Sequence, residues 1–130
     1  MGAEVIPGSA GSEVFRSDRY FKVWQYTVGH RRLLLRSSRD MPPETRIDIH
    51  FGNVGLMVLR PYYEGLVIRR ADDEECMKVA LDYGLEVLPG RLHVLGDGLR
   101  SFVVSGPPQW HEDEGRMDDP SWFGRMKGTH

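Results

Sequence analysis

The most regular alternation of apolar and polar positions lies between Arg19 and Ser37, in RYFKVWQYTVGHRRLLLRS. Two short runs flank Gly29-His30, and a two-residue turn with glycine first suits a type II′ hairpin, whose geometry sets the register on both sides. Val28 then faces Arg31, Tyr26 faces Leu33 and Trp24 faces Leu35, an aromatic-aliphatic cluster of the kind a sheet buries. The opposite face carries Phe21, Val23, Gln25 and Thr27 across from Arg32, Leu34 and Arg36. That mixture is too apolar for solvent and too charged for a core, so it predicts a cover.

Alternation continues in TRIDIHF, where Ile47, Ile49 and Phe51 point one way and Arg46, Asp48 and His50 the other. Gly52-Asn53 reads as a second two-residue turn, which sets Phe51 opposite Val54, Ile49 opposite Leu56 and Ile47 opposite Val58. The stretch from Arg60 to Gly65 breaks the pattern, and Leu66 to Arg70 resumes it as a further strand. A helix is predicted next, with Asp72 as N-cap, Glu75 closing a capping box and Gly84 as the stop. Its stripe of Cys76, Val79, Ala80 and Tyr83 can cover a sheet face. Gly96-Asp97-Gly98 predicts a third hairpin, joining Leu92–Val94 to a strand with Phe102, Val103 and Val104, apolar on both faces and therefore central.

The ends differ in kind. Residues 1–17 read as a flexible tail, with Val14 and Phe15 touching the core, and Met41-Pro42-Pro43-Glu44 reads as a loop because proline cannot join a ladder. From Pro107 onward the chain is acidic and without period, yet Trp110, Trp122 and Phe123 are costly to leave in water, so this tail is expected to dock in part. The expectation is one α+β domain over residues 18–106: a strongly curved antiparallel sheet of six to eight strands, barrel-like or a sandwich, with one helix packed against it.

Composition narrows the partners. With 17 basic and 19 acidic residues in 130, the chain has no global attraction to nucleic acid or anionic membranes. The single Cys76 excludes an intramolecular disulfide framework, which fits a reducing cytoplasm. No run approaches the roughly 20 apolar residues of a membrane span.

Candidate chemistry is sparse. His50, Asp48 and Arg46 share the polar face of one strand, and His93 on another strand can approach them in a fold, the set a small enzyme would use. His111, Glu112, Asp113 and Glu114 bring metal-ligand types together, but without H-x-x-x-H or EF-hand spacing a solvated loop is the stronger reading. Ser101, Ser105 and Ser121 lack the context of an activated nucleophile, and no cofactor is implied. Arg32 and Arg36, with Arg39 and Arg69-Arg70 near, resemble a phosphate-binding strip for single-stranded nucleic acid. The register sends Trp24 and Tyr26 to the other face, however, which disfavours nucleic acid.

YFKVWQYTVGHRRLLLRSS, TRIDIHFGNV, SFVVSGPPQWHEDEG and DPSWF together resemble a family of small uncharacterised bacterial proteins of actinobacterial type. The resemblance implies no activity and supplies no catalytic residues. The expected function is a non-enzymatic interaction or small-ligand-binding module, a homo-oligomer or bound to a protein partner, whose face at Val23, Gln25, Arg32, Leu34 and Arg36 meets that partner or the chain's own C-terminal tail. Alternatives are the His/Asp/Arg enzyme, the nucleic-acid binder, and an immunity protein for a neighbouring toxin.

Overall fold

Period-two patterning does become sheet. The computed structural model of the chain describes residues 12–39 and 44–124. In chain order the elements are β1 (Glu13–Thr27), β2 (Arg32–Ser37), β3 (Arg46–Phe51), β4 (Leu56–Val58), β5 (Tyr62–Arg70), α1 (Asp73–Tyr83), β6 (Leu92–Leu95), β7 (Phe102–Val104) and β8 (Gln109–Asp113). They form one antiparallel sheet ordered β4-β7-β6-β5-β1-β2-β3-β8, whose hydrogen-bonding does not close. Of the segments expected as tails, 13–17 belong to β1, and 109–113 add an edge strand. The remaining tail residues 1–11 and 125–130, with Met41-Pro42-Pro43, lie outside the described residues.

Chain length forces the curvature. β3 and β4 stand six strand spacings apart in the order, about 29 Å across a flat sheet. The link from Phe51 to Leu56 reaches only about 17 Å when fully extended. The sheet must therefore curl back on itself, and cross-contacts mark where it does. Gly106 N–H donates to the Gly52 carbonyl (2.9 Å), and Val54 N–H donates to the Arg31 carbonyl (2.9 Å). On the other side the rings of Phe15 on β1 and Trp110 on β8 meet at 5.1 Å, and Arg19 donates to Glu112 at 3.1 Å.

The concave inner face holds Phe15, Phe21, Leu33, Leu35, Ile49, Phe51, Leu66, Ile68 and Val103, with Val23 and Tyr26 packed against them. On the convex outer face α1 buries Cys76 and Val79 against Leu92, Val94, Phe102 and Val104. The helix has the predicted ends: Asp72 and Glu75 form the capping box, and Gly84 stops it in the left-handed region at φ 69°.

Two pairings depart from the sequence reading. The hairpin register holds from Thr27↔Arg32 to Gln25↔Leu34 and then slips, so that Val23, not Trp24, pairs with Leu35. This bulge at Trp24 exchanges the faces: Phe21 and Val23 turn inward, while Trp24 emerges on the outer face at 38% exposure. The second hairpin does not form. β3 is flanked by β2 and β8, so Leu56–Val58 has no free side there and pairs with β7 at the far edge.

Candidate functional site

The polar side chains that looked like chemistry sit on the outer faces of β2 and β3, beneath the chain's own residues 116–124. Arg36, which is 1% exposed, holds Asp48 through Nε (2.7 Å) and Nη2 (3.0 Å), and its Nη1 donates to the carbonyls of Met117 and Asp119. Arg46 donates from Nε to Asp113 (2.8 Å), from Nη1 to the carbonyls of Arg116 (2.6 Å) and Asp119 (2.8 Å), and from Nη2 to that of Pro120 (2.6 Å). Gly115 passes so close that a Cβ there would stand 2.5 Å from Arg46 Nη2. The segment keeps its turn because Asp119 Oδ2 accepts the Arg116 N–H at 2.9 Å, and Asp113 Oδ1 accepts that of Gly115 at 2.9 Å.

Aromatic rings complete the cover. Phe123 stacks on His50 with centroids 5.0 Å apart, and Trp122 stacks on His111 at 4.5 Å. The expected docking of Trp122 and Phe123 thus occurs on the same chain. Of the residues proposed for a partner, Leu34 and Arg36 are buried here, Val23 faces the core, and Gln25 and Arg32 stay half-buried at the rim.

The histidines do not converge. His50 lies on the outer face under Phe123. His93 points to the inner face, where its ring is 6.3 Å from Phe51 and it pairs across the ladder with Val103. General acid and base groups must share a substrate, and the thickness of the sheet separates these two. Glu112 and Asp113 likewise diverge, Glu112 toward Arg19 and Thr45, Asp113 toward Arg46, while Glu114 is exposed. Among the described residues no three His, Cys, Asp or Glu side chains gather to hold a metal ion. Cys76 is buried in the helix packing, and burial first, then Asp73, Asp72 and Glu75, push its thiol pKa up, away from a reactive thiolate. Ser101 is bonded to Tyr63 and the Val58 carbonyl, and Ser105 to the Gly106 carbonyl.

Both histidines are less basic than a free imidazole. Burial, chiefly, keeps the His93 pKa below the ordinary 6.5, aided by Arg70 and Arg91 and opposed by the Ser105 and Gly106 carbonyls. Burial and then the charge of Arg32 do the same for His50. Among the described residues His93 Nδ1 and His50 Nε2 have no hydrogen-bond partner. As pH falls through 6.5, the unfolded chain takes up protons that the native chain refuses, so stability is lost below that point; above it neither group contributes. Urea unfolding is expected to show the free energy of unfolding falling by up to about 1.4 kcal/mol per pH unit for each histidine below pH ~6.5. His50→Gln should make that slope shallower, and a flat profile from pH ~7.5 to ~5 would contradict the assignment.

Among the described residues one part of the outer face is left uncovered. α1 covers β4, β6 and β7, and residues 116–124 cover β2 and β3, which leaves the central pair β1 and β5 between them. Here β1 presents Arg16, Tyr20, Lys22 and Trp24, and β5 presents Tyr62, Glu64, Val67 and Arg69. Tyr20 and Tyr62 stack at 5.2 Å with 14° between their planes, and the Trp24 ring lies 5.0 Å from the Arg36 guanidinium. The strands bulge between Ser17 and Tyr20, where Gly65 takes φ 83°, and beside the bulge opens a cleft of about 910 Å³. Sequence reasoning missed this face because its key residue, Trp24, had been placed in the core.

No helix among the described residues is long and apolar enough to cross a membrane. No protein-family model, curated protein or solved structure matches the chain.

Proposed function

We propose that the chain is a non-enzymatic binding module that takes its partner on the outer face of the β1–β5 pair. The observation that carries this reading is the stacked Tyr20–Tyr62 pair, Tyr62 exposed and Tyr20 half-buried, with exposed Trp24 on the same face of the central strands. Aromatic rings left exposed together favour a contact that removes them from water. An enzyme reading has no comparable support: Arg36 pairs with Asp48, Arg46 with Asp113, both arginines also donate to carbonyls, and His50 and His93 occupy opposite faces. Arg36 of the arginine strip is likewise committed, since it is enclosed by residues 117–119.

The test is the double variant Tyr20→Ser/Tyr62→Ser against a panel of a lysine-rich peptide, a glutamate-rich peptide and oligothymidylate. Because Tyr62 is 49% exposed and Tyr20 lies on the same outer face, the variant is expected to keep its melting temperature within a few degrees. It should lose about tenfold or more in affinity for whichever probe the native chain binds. A native chain that binds none of the three, or a variant that binds equally well, contradicts the proposal.

A further inference from the structure

We infer that the partner of this face is an extended cationic peptide segment, one whose lysine or arginine side chains alternate with small neutral residues. The inference rests on the β1–β5 reading and adds the chemistry of the occupant. The cleft beside the tyrosine pair is lined by Glu13, Asp18, Glu64 and Asp97, with Arg16 and Arg69 as its bases. Neither arginine is left to attract an anion. Arg16 gives Nε and Nη2 to Glu13 at 3.0 and 2.8 Å, and Arg69 gives both Nη atoms to Glu75 at 2.9 and 2.8 Å. Asp18, Glu64 and Asp97 make no ion pair or side-chain hydrogen bond among the described residues, so the field in the cleft is negative.

The rings agree with the carboxylates. Glu64 stands across the ladder from Tyr20, and Tyr20 stacks on Tyr62, so a cation at this point meets a carboxylate and the faces or edges of two phenols at once. Length selects a peptide over a small amine. From Glu13 to Tyr20, β1 runs roughly 20 Å, which is about six residues of extended chain. Lys22 stands directly across the ladder from Tyr62 and Arg60 lies two residues before it, and their charge confines the cationic register to the Glu13–Tyr20 side of the stack.

The probe is a fluorescein-labelled eight-residue peptide of alternating lysine and glycine, titrated with the full chain and read by anisotropy. Binding is expected to weaken about tenfold or more between ~0.05 and ~0.5 M NaCl, because the attraction is between exposed charges. Asp18→Asn/Glu64→Gln should weaken it about tenfold, and Lys22→Ala, which removes a like charge from the face, should tighten it. An affinity that ignores Asp18→Asn/Glu64→Gln overturns the inference. Oligothymidylate bound in preference to the peptide, and released by Lys22→Ala, also overturns it while leaving the β1–β5 face as the binding surface. If neither probe binds and the glutamate-rich peptide also fails, both readings fall together.

Discussion

Asp48→Ala is expected to lower the free energy of unfolding by about 3–5 kcal/mol, a large part of what a domain of this size has. Asp48 is 1% exposed and neutralises Arg36, which is equally enclosed. Removing the carboxylate leaves the guanidinium charged in place with only the Met117 and Asp119 carbonyls as acceptors. A buried unpaired charge costs far more than the lost contact itself, because nothing then offsets its lost hydration. The pair Arg36→Met/Asp48→Leu removes both charges and is expected to recover most of the loss. Urea unfolding of the two variants checks this directly. If the single and double substitutions cost the same, the penalty is one of packing and not of charge.

A chain ending at Asp113 is expected to lose about 3–5 kcal/mol relative to one ending at Gly124, a fall in melting temperature of roughly 10 °C or more. The truncation removes the four carbonyls, from Arg116, Met117, Asp119 and Pro120, that receive Arg36 and Arg46. It also strips Phe123 from His50 and Trp122 from His111. Water rehydrates the exposed guanidiniums, which limits the cost, but Leu34 and His50 lose their cover as well. The ending at Gly124 is the control that isolates the covering segment. Calorimetric melting of the two chains reads the difference, and equal melting temperatures would show that the segment contributes nothing to the fold.

What was legible in the sequence was local. Asp72, Glu75 and Gly84 name the ends of α1 because capping chemistry acts within a few residues. Gly96 and Gly98 both take positive φ, 88° and 65°, so the β6–β7 hairpin was written in its turn. The choice of partner strand was not. Asn53 adopts φ 54°, as a tight turn would ask, yet the chain after it crosses to the other edge because β3 has no free side. The bulge at Trp24 carries no glycine or proline to announce it, and one extra residue there exchanged the faces of half a strand. The fate of Arg36 and Arg46 was equally hidden, since both donate to backbone carbonyls some seventy to eighty residues away, which no side-chain pattern records. The expected cover over the mixed face was sound in principle; what forms it is the chain's own C-terminal stretch.

Beside the part that α1 covers, the outer face thus holds two others, the charged network of β2 and β3 under the C-terminal stretch and the aromatic face of β1 and β5 proposed as the binding surface. Heteronuclear NMR of the full chain during titration with the lysine-glycine peptide tests that division most directly. The predicted result is that the largest shifts fall on Tyr20, Lys22, the Trp24 indole, Tyr62 and Glu64, with His50 and residues 116–124 unmoved. The largest shifts at His50, Asp48 and residues 116–124, with β1 and β5 silent, would contradict it and make the covered network the working surface.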